Sequence, residues 1–253
     1  MFSSFFTHNH SVPESPPFPY TVKVSTRAKS VRLKMTPHGG LLVVLPVGFN
    51  KKHIPDLLHR HEAWIKKAAG RFDQHRPEPL PLTENGLPCT IRFFCLDEEW
   101  SVVYNNKGRT VVDVSDASQK RLLLSADVDD ADRCRRQLLS WLKRQAASHL
   151  IPSFEKLAAS HDFKYSEALV WLQHSRWGSC SSGGIITLNT KLLFLPDYLV
   201  RYIMIHELCH TVHMNHSKAF WALVSRHDPL WRSNNREMKS AWKYVPPWVS
   251  VSP

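Results

Sequence analysis

Apolar and polar residues alternate along the first part of the chain, and this alternation predicts short strands. Three such stretches follow one another, namely Tyr20 to Ser25, Ser30 to Met35 and Leu41 to Leu45. After Asn50, which can cap a helix, apolar residues recur at helical spacing to about Arg71. One face of that helix collects Ile54, Leu57, Leu58, His61, Trp64, Ile65 and Ala68. Residues 20–76 are therefore expected to form a β-meander plus a helix, after a disordered, Pro-rich tail over residues 1–19.

A Pro-rich stretch over residues 73–88 predicts a connection between two modules, since it holds four prolines and the turn pair Asn85-Gly86. Alternation of apolar and polar residues then returns and predicts four more strands. They are Cys89 to Leu96, Trp100 to Asn105, Thr110 to Val114 and Arg121 to Ser125. Residues 77–126 are therefore expected to be rich in β-structure.

Helices dominate the predicted second half of the chain. A long one is expected from Asp127 or Asp129 to about Ser160, kinked at Pro152. Two strands, Ala168 to Leu172 and Ile185 to Asn189, lie on either side of a loop over residues 174–184. Further helices are expected to begin at Pro196, Ser217 and Ser233. Runs of strands followed by runs of helices predict the α+β fold class.

The clearest chemical motif is Ile205-His206-Glu207-Leu208-Cys209-His210. Two histidines four residues apart, with a glutamate directly after the first, form the H-E-x-x-H pattern. On a helix both imidazoles lie on one face about one turn apart, so both can reach a single metal ion. Glu207 is turned away from the pair but stays close enough to act as a general base on water. The residues before His206 are mostly apolar, and they predict a buried helix.

A third histidine, His216, follows ten residues after His206 and completes a candidate set of ligands. The same helical face cannot present it, so the chain must turn, and Asn215 is a suitable turn residue. Three protein ligands with a fourth position open are typical of a catalytic zinc site. His213 is expected beside the ligands or at the surface, with a role as ligand as the minor alternative.

The loop His174-Ser175-Arg176-Trp177-Gly178-Ser179-Cys180 surrounds one arginine and one tryptophan with small residues. Small residues allow a close approach of the backbone, so Arg176 is a candidate for binding an anion or polarising a carbonyl group. The alternative is a hairpin whose arginine only packs. Cys180 is expected to be a buried thiol, because three histidines already suffice for the metal.

The chain is strongly basic, with 33 Lys/Arg against 22 Asp/Glu among 253 residues. Much of the excess lies early, since residues 20–76 hold twelve Lys/Arg and three Asp/Glu. A basic N-terminal half suggests an anionic partner, such as a nucleic acid or a phosphorylated substrate. Simple solubility explains the charge equally well, because no nucleic-acid motif accompanies it.

The sequence also bears on compartment. No apolar run is long enough to cross a membrane, and the first residues lack the basic and apolar regions of a secretory signal. The five cysteines are scattered and odd in number, which favours reduced thiols. A cytoplasmic protein without a membrane partner is therefore expected.

Taken together, the motifs resemble the YgjP-like family of metal-dependent, metallopeptidase-like hydrolases. The resemblance rests on the run Arg176 to Ser181, on Ile186-Thr187-Leu188-Asn189, on the H-E-x-x-H segment, and on Asn215-His216-Ser217 followed by Phe220-Trp221. It extends over roughly residues 20–245. More remotely, the metal segment is similar to SprT-type zincin peptidases.

The resemblance implies a zincin-like domain over residues 127–248, with zinc held by His206, His210 and His216 and with Glu207 as general base. It leaves two classes of substrate open, peptides or proteins and nucleoside triphosphates such as UTP. A peptide would pair with an edge of the strand Ile185 to Asn189. A triphosphate would bind Arg176 and the basic front half, although the sequence has no phosphate-binding Gly-rich loop. A nucleic-acid adaptor with structural zinc is the least favoured interpretation, because such a site needs no Glu207.

Overall fold

A computed structural model of the protein describes residues 18–36, 40–73, 80–105, 111–116, 120–125 and 129–250. The tail predicted over residues 1–19 lies outside this range apart from its last two residues. The chain divides into two compact units, one up to Arg76 and the other from Pro77.

The first unit contains a three-stranded sheet of β1 (Tyr20–Ser25), β2 (Arg32–Thr36) and β3 (Gly40–Pro46). The spatial order is β1-β3-β2, with β1 parallel and β2 antiparallel to β3. The prediction of a β-meander is therefore wrong, since a meander would place β2 in the centre. β3 is the most apolar of the three strands, and a central position buries it best, while the lysine-bearing strands take the edges.

Two helices cover one face of this sheet where one was predicted. Asn50 caps the first turn by accepting a hydrogen bond from the Lys52 backbone N–H at 3.1 Å, as its position suggested. Helices α1 (Ile54–Arg60) and α2 (Glu62–Asp73) then follow, separated at His61. The core of the unit consists of Leu41, Val43, Leu45, Ile54, Leu58 and Ile65. His61 and Trp64, predicted on the apolar face, are exposed instead.

The second unit begins with a four-stranded sheet of β4 (Thr90–Phe93), β5 (Glu98–Asn105), β6 (Val111–Asp116) and β7 (Arg121–Ser125). Its order is β4-β5-β7-β6, and only the β5–β7 pair is parallel. All four strands lie where the alternation predicted them, within a few residues.

Helix α3 (Ala131–Ser160) packs its apolar face on this sheet. The Asp130 side chain caps it by accepting from the Arg133 backbone N–H at 2.9 Å, and the helix continues through Pro152. Trp141 at its centre lies 5.7 Å from Phe93 and 5.2 Å from Trp100, measured between ring centroids. The predicted segments 77–126 and 127–248 thus share one hydrophobic core.

A second sheet of three strands lies nearest the histidine motif. It contains β8 (Glu167–Trp171), β9 (Gly178–Cys180) and β10 (Ile185–Asn189) in the order β8-β10-β9. The loop predicted over residues 174–184 therefore contains a strand, which its small residues did not signal. Because β10 pairs with β8 on one side and with β9 on the other, it has no free edge. The expected pairing of a peptide with β10 is thus wrong, and β9 is the edge strand on this side.

Four helices complete the unit, α4 (Asp197–His210), α5 (Lys218–His227), α6 (Trp231–Met238) and α7 (Pro247–Ser250). Ser217 caps α5 as predicted, and its hydroxyl accepts from the Phe220 backbone N–H at 3.3 Å. Ser233 does not cap α6, because it lies within the helix and donates to the Leu230 carbonyl at 2.7 Å. These elements confirm the α+β class. Among the described helices, none combines the length and the apolar character that crossing a membrane requires.

Candidate metal centre

Helix α4 presents two of the predicted ligands, His206 and His210, one turn apart. It is buried along most of its length, because residues such as Ile203, Ile205 and Leu208 pack into the core of the unit. The two imidazole ring centroids lie 4.9 Å apart. The position of these rings is therefore fixed by a rigid, desolvated helix.

The turn after α4 returns the chain to these rings. Thr211 donates its hydroxyl to the Leu208 carbonyl at 2.8 Å, and the His213 backbone N–H bonds the Cys209 carbonyl at 2.9 Å. These bonds satisfy carbonyls that the end of a helix would otherwise leave unpaired. The chain then places His216 Nε2 3.1 Å from His206 Nε2. One nitrogen from each of the three histidines lies within 4.8 Å of the others.

This donor set fits a divalent metal such as zinc. Nitrogen ligands bind zinc at about 2.0–2.1 Å in tetrahedral geometry, which separates two nitrogens by roughly 3.3 Å. His210 Nδ1 lies 3.0 Å from the His213 carbonyl oxygen. Because a carbonyl only accepts, Nδ1 must carry the proton, and Nε2 keeps its lone pair for a metal. Burial and the neighbouring histidines also lower the pKa of His206 to about 3, which keeps its imidazole in the neutral, metal-binding form.

Aromatic side chains of α5 hold the histidine rings in place. Phe220 stacks on His210 with ring centroids 4.4 Å apart, and Trp221 stacks on His216 at 5.5 Å. His206 Nδ1 is buried and has no hydrogen-bond partner among the described residues. Packing against Phe220, with centroids 5.0 Å apart, therefore holds the His206 ring instead.

Glu207 lies beside the histidines under strand β9. Only 6% of it is exposed, and this burial raises the pKa of its carboxyl group to about 8, while the Arg176 guanidinium acts in the opposite direction. Gly178 of β9 lies directly against it, since a Cβ atom at Gly178 would be 2.7 Å from Glu207 Cγ. Only glycine leaves room for the carboxylate here, a role that the sequence did not reveal.

The exposed Arg176 side chain and the three histidines line an open cleft of about 270 Å³. Asn189, fully buried at the end of β10, fixes the loop that bears this arginine. Its amide Nδ2 donates to the carbonyls of Gln173 and Arg176, and its Oδ1 accepts from the Lys191 backbone N–H at 3.0 Å. The sequence motif contained Asn189, but nothing in its spacing indicated this function.

Two further residues of interest lie at the edge of the site. Cys180 is partly buried and lines the cleft, and burial followed by the charge of Glu207 raises the pKa of its thiol. His213 contributes its backbone carbonyl to His210, and its ring is not part of the three-histidine cluster. The side chains of Cys180 and His213 therefore take no part in the three-histidine cluster.

The fold and the site define a metallopeptidase-like hydrolase. The family model described as YgjP-like, metallopeptidase domain, matches residues 29–241, so the chain belongs to the YgjP-like family, as its motifs suggested. It is also similar to the metallopeptidase zymogen of Pyrococcus abyssi abylysin at 24% identity. That match covers 36% of this chain and 92% of the other, with a TM-score of 0.32. A search among curated proteins gave no match.

Proposed function

We propose that this protein is a zinc-dependent peptidase that uses Glu207 as its general base. The observation that carries the proposal is the convergence of three imidazole nitrogens within 4.8 Å of one another, next to a buried carboxylate. When bound, zinc supplies Lewis acidity and makes water a stronger nucleophile near neutral pH. His206, His210 and His216 would hold the metal through ring nitrogens.

Glu207 would accept a proton from the attacking water and pass it to the leaving amine. Burial raises the pKa of its carboxyl group, which strengthens it as a base, while Arg176 and a nearby divalent cation favour the ionised form that must start the reaction. Gly178 limits where the carboxylate can go, because it closes the space above it. These opposing influences suit a group that must both take and release a proton.

Strand β9 offers a place for an extended peptide. Trp177 and Ser181 bond the opposite strand β10 through the contacts Asn189 N–H to Trp177 carbonyl and Ser181 N–H to Ile185 carbonyl, both at 2.9 Å. In an antiparallel pair the intervening residues, Gly178 and Cys180, direct their backbone groups to the opposite edge. A peptide that paired with this edge would run along the cleft in front of Glu207.

A nucleoside triphosphate is the second candidate substrate, and Arg176 favours it. The guanidinium lies in the cleft and makes no ion pair among the described residues. Such a group binds phosphate oxygens well. Magnesium–phosphate sites usually add carboxylates, and within the described range the histidine triad alone forms a metal-binding cluster. We therefore rank peptide hydrolysis first.

No disulfide joins any of the five cysteines, all of which lie in the described part of the chain, and this supports a reducing compartment, the cytoplasm, as part of the same proposal. The cysteines lie in different parts of the second unit, from Cys89 to Cys209. Growth of cells with a tagged copy, followed by fractionation, would place the protein directly.

The deciding experiment compares zinc-loaded protein with its Glu207→Gln variant on an unfolded protein and on a panel of nucleoside triphosphates. The variant keeps the shape of the side chain and should bind zinc equally but lose turnover. Cleavage of the unfolded protein that disappears in the variant supports the peptidase. Pyrophosphate release that disappears in the variant would replace it with the nucleotide hydrolase, and unchanged activity would remove Glu207 from the mechanism.

A further inference from the structure

The first unit carries a concentration of positive charge that the catalytic proposal does not use. Between residues 15 and 55 the sequence has no Asp or Glu. The same stretch has seven basic side chains, Lys23, Arg27, Lys29, Arg32, Lys34, Lys51 and Lys52. Such an imbalance attracts polyanions over a distance comparable to the Debye length.

This unit also has an open groove with an aromatic wall. The groove has a volume of about 350 Å³ and lies between the edge strand β2 and the two helices. Its lining consists of Val31, Leu33, Leu57, His61 and Trp64. Trp64 is 45% exposed although it shares a helix with the buried Ile65. The groove therefore presents a flat ring that the core of the unit leaves free.

Basic side chains flank this ring on both sides in sequence. Lys67 follows Trp64 by three residues in the same helix, and such neighbours lie on one face of a helix. Arg60 precedes Trp64 by four residues and ends the adjoining helix α1, where its Nε–H donates to the Asp56 carbonyl at 3.4 Å. Glu62, the acidic residue closest in sequence, is already paired with Lys66 at 2.8 Å. Arg60 and Lys67 have no ion pair among the described side chains.

More cations lie on the reverse side of the same strand. Arg32 and Lys34 alternate with Leu33 along β2, so they point to the sheet face opposite the groove. The register places Arg32 and Lys23 on either side of Val44, which extends the row of charge across that face. A flexible polyanion that crosses the β2 edge would thus meet cations on both sides and an aromatic ring in the groove.

We propose that this groove binds single-stranded nucleic acid, with a base stacked on Trp64 and phosphates held by Arg60, Lys67 and the β2 cations. Aromatic rings combined with a basic groove are the usual means of binding single strands without sequence preference. A duplex keeps its bases stacked inside and cannot use the ring in this way. The inference is independent of the metal centre, since all these residues belong to the first unit.

The test is fluorescence anisotropy of full-length protein with a labelled oligouridylate about 15 nucleotides long, and with an oligothymidylate of equal length. Trp64→Ala should weaken binding by roughly 5- to 100-fold, as loss of one stacking ring does, whereas Trp64→Phe should keep most of the affinity. Trp171→Ala is the matched control. Trp171 is 54% exposed and has Lys143 Nζ 4.3 Å from its ring centroid, but it lies in the other unit, so its loss should change nothing.

A second arm measures the contribution of charge. Replacing Arg60 and Lys67 by glutamine should flatten the slope of log affinity against log salt by about 1.4, because each phosphate that is no longer neutralised removes about 0.7 from it. An equal loss of affinity in the two tryptophan variants would refute the proposal. Oligonucleotide binding that responds to charge and salt but not to Trp64→Ala would also refute it. The surface would then attract any polyanion, heparin included, by charge alone. Trp64-dependent binding to phosphatidylserine vesicles in place of the oligonucleotide would assign the groove to membranes.

Discussion

Replacing Gly178 by alanine tests whether strand β9 sets the position of the catalytic carboxylate. The added Cβ would lie 2.7 Å from Cγ and 2.8 Å from Oε1 of Glu207. Ordinary contacts between non-bonded carbon atoms begin at about 3.5 Å, so one of the two partners must move by roughly 0.8 Å. Gly178 has no positive φ, and alanine is therefore acceptable to the backbone itself.

The movement should fall on the Glu207 side chain, because the backbone of β9 is held by its pairing with β10. A displacement of about 1 Å in a reacting group can cost about a hundredfold in rate. We therefore expect Gly178→Ala to lower kcat by roughly 10- to 100-fold. Overpacking should cost about 1–3 kcal/mol of the free energy of unfolding. Zinc content should not change, since the atoms closest to the new methyl group belong to Glu207 and not to the three histidines.

The assay uses the substrate that Glu207→Gln fails to turn over, with zinc measured by atomic absorption on the same samples. Gly183→Ala provides the control within the same hairpin. A Cβ there would come no closer than 3.8 Å to Ser181 Oγ, and Gly183 also has no positive φ. Full activity in Gly178→Ala would refute the reasoning that β9 positions Glu207. An equal decrease in both variants would point to the hairpin as a whole.

Three further predictions concern the third metal ligand, the Arg176 loop and the buried Lys191. His216→Ala should lose most of the bound zinc while His213→Ala keeps it, since only the backbone of His213 contacts His210. Equal zinc content in the two variants would mean that His216 is not the third ligand. Asn189→Ala should destabilise the protein by about 1–3 kcal/mol, because it leaves two partly buried carbonyls of the Arg176 loop without their hydrogen-bond donor, and chemical denaturation would measure this. Lys191→Met should stabilise the protein below pH 8 by at most about 3 kcal/mol. Burial lowers the pKa of Lys191 to about 8 from its ordinary 10.5, so the native state loses its proton first, and the difference in unfolding free energy should fade between pH 8 and 10.5. A difference that grows with pH would contradict the last of these.

Periodic patterns predicted the long elements well, because burial imposes them directly. Helix α3 repeats its apolar residues over 30 positions, so its extent was readable, although its cap is Asp130 and not the predicted Asp127 or Asp129. The central strand β10 is mostly apolar and was located to the residue. Strand β9 consists of Gly, Ser and Cys, which give no alternation, and the sequence therefore predicted a loop there.

Order and exposure were harder to predict than position. Alternation located β1, β2 and β3 but does not state which strand is central, and the parallel pairing of β1 with β3 replaced the expected meander. Likewise, helical spacing placed Trp64 with its apolar neighbours, while the core of the first unit takes Ile54, Leu58 and Ile65 from the helices and leaves that ring exposed.

Residues at the candidate site divide in the same way. The histidines and Glu207 were predictable, because metal chemistry requires those side chains at that spacing. Gly178 and Asn189 were not, because each acts by contact with a segment distant in sequence, one through the absence of a side chain and the other through backbone carbonyls.

Strand β10 joins the core to the site, and this connection leads to a last prediction. Leu188 is fully buried, while the same strand pairs with β9 and ends at Asn189. Leu188→Ala should therefore lower the free energy of unfolding by about 2–5 kcal/mol through the cavity it leaves. The loosened strand should also lower kcat, since β9 and the Arg176 loop both depend on it. Gly178→Ala should instead lower kcat with a smaller loss of stability. If Leu188→Ala reduced stability alone, with kcat unchanged under native conditions, β10 would support the fold without positioning the site.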